Sequence, residues 1–164
     1  MKLRRLAFVC AALALVGGAC TATASDLAAT GGQAAWAVDP AVGVWIPTVT
    51  QRDCTSGQPL AVFGGMSVLH HGGTLSETNA SPPSTRGPAW GTWERTGPRQ
   101  YRSQWRFLRY DPDGSFAGTT VVRRQFTLSG SGEEATGQSQ FDIVLPNGVV
   151  VFTGCATDVA VRFR

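Results

Sequence analysis

Lysine is almost absent from this chain of 164 residues, and its absence excludes several classes of enzyme. The one lysine is Lys2, so no later residue can form a Schiff base or hold nucleotide phosphates as a P-loop lysine does. The G-x-S-x-G, H-E-x-x-H and C-x-x-C motifs of serine hydrolases, zinc peptidases and dithiol or zinc sites are also missing. Helical periodicity is missing as well. The sequence therefore predicts no catalytic residue, no metal ligand and no cofactor.

The first 24 residues have the features of a secretory signal peptide. The positive residues at its start are Lys2, Arg4 and Arg5. The apolar segment 6–16 is too short to span a bilayer stably, and 22–24 form a small-residue cleavage site. In an alternative interpretation, Cys20 follows a loose lipobox at 17–19 and becomes the lipid-anchored first residue. We therefore expect an exported protein, periplasmic or extracellular, or else an outer-membrane lipoprotein, with no transmembrane segment.

The net positive charge of the chain, +3, belongs to this leader. Cleavage after Ala24 leaves 11 basic and 11 acidic residues, so the overall charge gives no electrostatic case for nucleic-acid binding. Arginines do alternate with aromatic residues between 95 and 110, a pattern that can stack single-stranded nucleic acid. Since Arg102 and Arg106 share the outer face of their strand, we interpret that pattern as a solvated exterior. The sequence predicts no nucleic-acid partner.

Residues 25–41 are rich in alanine and glycine and predict a flexible lead-in, whereas 42–164 predict one all-β domain. Within that domain, runs rich in β-branched and aromatic residues alternate with turns rich in glycine, proline, asparagine and aspartate. Eight strands in about 120 residues fit an antiparallel up-and-down barrel, with a β-sandwich as the alternative. The predicted strands are 42–50, 59–70, 73–79, 90–96, 100–110, 116–129, 134–145 and 149–163.

Period-two alternation predicts which side chains face the core. The residues assigned to the inner face are Tyr101, Ser103, Trp105 and Phe107; Phe116, Val122, Phe126 and Leu128; and Val149, Val151, Val159, Val161 and Phe163. The one long connection, 80–89, contains three prolines and predicts either a binding edge or a rigid spacer.

Only two cysteines, Cys54 and Cys155, lie outside the leader. Two cysteines in an oxidising compartment usually pair, and the alternative is two buried thiols. If the first and last strands pair antiparallel, opposed residues share a constant index sum. That sum is 209 for Cys54 with Cys155 and 207 for Trp45 with Arg162. The two pairs therefore fit the same strand register to within one pleat. The sequence thus predicts a barrel closed at this seam by a disulfide.

Gly43-x-Trp45 on the first strand and Arg162 on the last resemble the calycin signature of lipocalins and avidins. The resemblance implies that the arginine packs over the tryptophan and closes the barrel base, through cation–π attraction and hydrogen bonds to carbonyls. The G-x-W pattern recurs at 91–93. Longer phrases, T-V-T-Q-R-D-C, G-G-T-L-S-E, R-T-G-x-R-x-Y and G-C-A-T, resemble a group of small exported, uncharacterised bacterial proteins over most of 43–163, which implies no activity.

An eight-stranded barrel can leave a lumen for one small ligand, so we predict binding of a small, partly apolar or amphipathic ligand. A buried arginine needs a partner, for which Glu77 or a ligand carboxylate would serve. The predicted binding residues are Trp93, Tyr101, Trp105, Phe107, Arg109, Arg124, Phe126 and Glu77. His70 and His71 point to opposite faces of a strand and are interpreted as a solvated strand end.

Two other functions fit the sequence. One is an envelope interaction or inhibitor module with a packed lumen and an exposed apolar patch near 80–89. The other is a barrel-type cyclase or isomerase, which requires a polar group such as Glu77 or Arg124 inside an apolar pocket. A binding protein is favoured over an enzyme. Neither the ligand nor the oligomeric state follows from the sequence.

Overall fold

The computed structural model describes residues 38–164. The predicted signal peptide, the cleavage after Ala24, the alternative lipid anchor at Cys20 and most of the lead-in lie outside the described residues. Among residues 38–164, no helix is long and apolar enough to cross a membrane.

Eight antiparallel strands form a closed barrel in which each strand pairs with the next and β8 pairs with β1. This confirms the predicted all-β up-and-down barrel and excludes the sandwich. The strands are β1 Gly43–Arg52, β2 Pro59–Leu69, β3 Thr74–Asn79, β4 Arg86–Arg95, β5 Gln100–Tyr110, β6 Phe116–Leu128, β7 Glu134–Val144 and β8 Val150–Arg162.

The two ends of the barrel are built differently. One end, here called the rim, carries the hairpin connections 53–58, 80–85, 111–115 and 145–149. The tight turns there need positive φ, which glycine adopts without strain, as at Gly114 and Gly148 (φ 85° in both). The opposite end, here called the base, is filled by apolar side chains. The buried cluster at the base comprises Ala41, Trp45, Leu69, Leu75, Trp93, Tyr101, Phe126, Leu128, Ala135 and Ala160.

The start of the described chain is anchored at the base. Ala41 is fully buried, and its carbonyl accepts a hydrogen bond of 2.9 Å from Trp45 Nε1. Tyr101 Oη donates to Asp39 Oδ1 at 2.9 Å. These contacts satisfy the polar atoms of two large buried rings, as buried tyrosine and tryptophan require. The last residues of the predicted lead-in, 39–41, are therefore part of the packed base.

The seam between β1 and β8 is held at both ends. At the base, Trp45 lies opposite Arg162, whose Cζ is 4.4 Å from the indole ring. Arg162 also donates from Nη1 to Val42 O at 2.9 Å. Towards the rim, Cys54 and Cys155 form a disulfide with Cα atoms 5.2 Å apart. The predicted disulfide and the predicted register of the seam are both confirmed.

The face assigned to β8 from the sequence is wrong. Its inner face carries Gly154, Ala156, Asp158 and Ala160, all buried. The five apolar residues assigned there lie outside and are about half exposed; they are Val149, Val151, Val159, Val161 and Phe163. Valine stabilises a strand on either face, because its branched side chain suits the pleated surface. The prediction used the presence of valine as evidence of burial.

Bulges explain two further differences. A register shift pairs Tyr110 with Phe116, so Phe116 turns outward and is 47% exposed instead of facing the core. The predicted loop 80–89 is shorter, because β4 begins at Arg86. Pro88 lies within the register shift between Arg86 and Ala89, where a residue without an N–H is tolerated.

Candidate functional site

A cavity of about 470 Å³ lies inside the barrel between the base and the rim. All eight strands contribute inward side chains to its wall, and residues 79–81 extend that wall to the rim. Its size falls within the range of small-molecule sites. The apolar side chains of the wall include Phe63, Trp105, Phe107, Val122, Phe141 and Ile143.

A buried ion pair forms the lower end of the cavity, here called the floor. Arg124 donates from Nε to Asp158 Oδ1 at 2.8 Å and from Nη2 to Oδ2, a two-point contact. The side chain of Asp158 is 5% exposed. The guanidinium of Arg124 also lies 4.3 Å above the ring of Phe126, which stacks on Tyr101 in the base. The pair therefore rests directly on the apolar base.

Small residues make room for the bulky groups of the wall. A Cβ atom at Gly137 would lie 2.6 Å from both Arg124 Nε and Asp158 Oδ1. A Cβ atom at Gly154 would lie 2.3 Å from the ring of Phe141. Both glycines lie directly opposite these groups on the neighbouring strand, so their lack of a side chain lets Asp158 and Phe141 lie close against the wall.

The wall near the rim, here called the upper tier, holds a second ion pair. Arg86 donates from Nη2 to Glu77 Oε2, and both side chains are largely buried. The guanidinium of Arg86 stacks 4.0 Å from the ring centre of Phe107. Burial raises the pKa of Glu77, and the charge and hydrogen bond of Arg86 oppose that rise without cancelling it. The Nε atom of Arg86 is buried and has no hydrogen-bond partner within 38–164.

Arg109 completes the upper tier. It lies directly opposite Arg86 on the neighbouring strand and also lines the cavity. Among the described residues, it makes no ion pair and no side-chain hydrogen bond. The upper tier thus places two arginines side by side with one carboxylate.

The structure divides the predicted binding residues into two groups. Five of them line the cavity: Glu77, Trp105, Phe107, Arg109 and Arg124. The other three, Trp93, Tyr101 and Phe126, are buried in the base below it.

The two histidines, His70 and His71, are both exposed at the base end of the barrel. His70 Nε2 lies 2.8 Å from Ser76 Oγ. Within the described part of the chain, no three His, Cys, Asp or Glu residues form a cluster suited to a metal ion.

Of the five charged residues that line the cavity, sequence reasoning missed two, Arg86 and Asp158. Arg86 falls within the predicted connection 80–89, which its prolines indicate, and an inner face that carries Val159 and Val161 leaves Asp158 on the outer face. The sequence does contain a signal for Asp158. Gly154, Ala156 and Ala160 occupy every second position and so share its face of β8, and small residues are typical of a strand face that lies against a crowded lumen.

Two other concave regions lie on the outer surface, with volumes of about 840 and 1000 Å³. They are lined mostly by outward-facing threonine, glutamine and arginine side chains. Unlike the lumen, they include no cluster of apolar side chains that would shield a ligand from water. The lumen is therefore the stronger candidate site.

No family model matches the chain, and no curated protein matches it. Among solved structures, the crystal structure of Rv2717c from M. tuberculosis is similar at a TM-score of 0.40 and 16% sequence identity. That alignment covers 78% of this chain and 96% of that chain.

Proposed function

We propose that the barrel binds one small, partly apolar ligand in its lumen. The observation that carries the proposal is the cavity of about 470 Å³ above a closed, apolar base. A lumen of this size holds a single small molecule, and its aromatic wall supplies the hydrophobic contact that such ligands need. The two arginines of the upper tier supply polar contact near the rim.

The pairing of the carboxylates supports binding over acid–base chemistry in this cavity. The carboxylates of its wall are Glu77 and Asp158, and an arginine holds each of them. A general acid or base must be free to exchange a proton with its substrate. The presence of a cavity also supports ligand binding over an interaction module with a packed lumen.

We further propose that the protein works outside the cytoplasm. The disulfide between Cys54 and Cys155 supports this, because structural disulfides persist in oxidising compartments. The signal-like leader predicted from the sequence agrees with it.

Binding is tested with N-phenyl-1-naphthylamine, a neutral apolar dye whose fluorescence rises when it leaves water. We expect saturable binding at one site per chain. Ser139→Phe should abolish that binding, because Ser139 lines the cavity and the larger ring would occupy the space of the ligand.

Gln140→Phe is the matched control, since Gln140 is the next residue of β7 and lies on the exposed face. It adds the same ring without entering the lumen and should leave binding unchanged. Equal loss in both variants, or no saturable binding in the native protein, would contradict the binding of apolar ligands in the lumen. Native mass spectrometry of protein purified from its own cell envelope would identify a retained ligand.

A further inference from the structure

We propose that the upper tier binds the headgroup of a monoanionic amphiphile, a carboxylate or sulfonate on an apolar body, with Arg109 as its main contact. The inference rests on the proposed function, since it specifies which partly apolar ligand the lumen selects. It adds a charge and an orientation to that ligand.

The first argument is the charge of the cavity wall. Three arginines line it, Arg86, Arg109 and Arg124, and they face the two carboxylates Glu77 and Asp158. Each carboxylate is held by one arginine, which leaves the charge of Arg109 without a partner in the described chain. A charge in a partly enclosed, apolar site is costly unless it is paired. One bound anion of charge −1 would balance the wall.

The second argument is the position of Arg109. Because it lies directly opposite Arg86, two like charges face each other across β4 and β5, an arrangement that is destabilising in a sheet. Glu77 compensates Arg86 alone. An anion beside both guanidiniums would relieve the repulsion and gain charge-assisted hydrogen bonds from Arg109.

The third argument is the unsatisfied donor of Arg86. Its side chain is 5% exposed, yet its Nε has no acceptor within 38–164. Buried polar atoms without a partner are rare in folded proteins, and a missing ligand is one recognised reason for them. The upper tier is thus short of one acceptor as well as one negative charge.

The surroundings set the orientation of the ligand. Arg86 begins β4 and Arg109 is the penultimate residue of β5, so both lie near the rim. Trp105 and Val122 line the wall deeper in the lumen. The headgroup would therefore lie near the mouth, and the apolar body would extend towards the floor.

The test uses two dyes that share one ring skeleton. N-phenyl-1-naphthylamine is neutral, and 8-anilinonaphthalene-1-sulfonate carries one sulfonate on the same rings. We expect the native protein to bind the sulfonate at least about tenfold more tightly. Arg109→Leu should weaken sulfonate binding about 10- to 100-fold, as expected for loss of a charge-assisted hydrogen bond, and change neutral binding by less than about twofold.

Arg106→Leu is the matched control, because it removes the same charge from the outer face of the same strand. It should leave the affinity for both dyes unchanged. Arg109→Gln serves as a second variant should the leucine variant unfold, and it should also lose the preference for the sulfonate.

Equal affinity of the native protein for the two dyes would overturn the anion site. So would equal weakening of sulfonate binding in the Arg106 and Arg109 variants. Neither result would affect the proposed function if the neutral dye still bound and Ser139→Phe still abolished that binding. In a third outcome, the native protein binds only the sulfonate, with Arg109→Leu losing that binding and Arg106→Leu keeping it. That result would support the anion site and contradict the proposed binding of apolar ligands in general.

Discussion

At the scale of single residues, the interior of the barrel differs from an ordinary hydrophobic core because it contains paired charges. The ion pair of Arg124 and Asp158 is buried between the apolar base and the cavity. Removing one partner of such a pair leaves an uncompensated charge, whereas removing both can be nearly neutral. The pair therefore places two compensated charges at the floor of the cavity while adding little net stability.

Arg124→Met should lower the free energy of unfolding by about 3–5 kcal/mol, because Asp158 would be left buried without its cation. The double variant Arg124→Met with Asp158→Leu should recover most of that loss. The neighbouring Arg123 pairs with Asp142 on the outer surface, so Arg123→Met should cost only about 0–1 kcal/mol. Urea unfolding of the four proteins measures these differences, and similar losses in the two single variants would contradict the assignment.

Tyr101 makes the stability of the base depend on pH. Burial, and after it the hydrogen bond to Asp39, raises the pKa of its hydroxyl to about 12. Its ordinary value of about 10 applies to the unfolded chain. Because the folded value is the higher one, Tyr101 contributes its full stabilisation below pH 10. That contribution is lost as the pH rises towards 12.

Urea unfolding between pH 8 and about pH 11.5 would detect this loss. We expect the free energy of unfolding to fall above about pH 10 in the native protein and to fall less in Tyr101→Phe. Parallel curves for the two proteins would show that another group causes the alkaline loss.

At the scale of strands, close approach of neighbouring backbones determines where glycine is required. Gly91 belongs to the second G-x-W pattern, and a Cβ atom there would lie 2.0 Å from Gln104 O on β5. Gly43, in the first pattern, has a φ of 141°, and its Cβ would meet the guanidinium of Arg162. The same three-letter pattern therefore has two physical causes, and only the first occurrence belongs to the seam.

Gly91→Ala should destabilise the barrel by about 3 kcal/mol or more, at the upper end of overpacking effects, because its added methyl meets backbone that cannot rotate away. Gly64 on β2 provides the control, since no atom lies within 4 Å of its added Cβ. Gly64→Ala should change stability by less than about 0.5 kcal/mol. Thermal unfolding of both variants distinguishes them, and equal shifts in melting temperature would contradict the strand contact.

At the scale of the whole molecule, the seam between β1 and β8 determines whether the barrel is closed. The disulfide joins residues separated by 101 positions, and the cation–π contact of Trp45 and Arg162 lies at the other end of the same seam. These two contacts stabilise different ends. We therefore expect loss of the disulfide to affect the rim before the base.

Cys54→Ser with Cys155→Ser should lower the free energy of unfolding by up to about 4–5 kcal/mol, the loop-entropy value for a ring of this length. Amide hydrogen exchange should accelerate more at residues 50–52 than at 43–45, because Arg162 still holds the base. Urea unfolding measures the first effect and exchange measured by NMR the second. Equal acceleration at both ends of β1 would show that the base contact does not hold the seam by itself.

The sequence was sufficient for the architecture and insufficient for parts of the site, for identifiable reasons. Period-two alternation and turn residues predicted all eight strands, and the two cysteines with Trp45 and Arg162 predicted the pairing of the ends. The same alternation failed on β8, where valine marks a strand without marking its inner face. It failed at Phe116 because a bulge changes the face of every residue beyond it, and nothing in the sequence marks where that bulge lies. Arg86 was missed for another reason: Pro88 indicated a loop where the structure has the start of β4.

The even number of strands has a practical consequence. Since β1 starts and β8 ends at the base, Arg164 lies at the end of the molecule opposite the mouth of the cavity. A reporter group or a solid support coupled to Arg164 would therefore leave the mouth unobstructed. Ligand exchange could then be followed on an oriented, immobilised layer of the protein, in which every molecule presents its rim to the flowing solution.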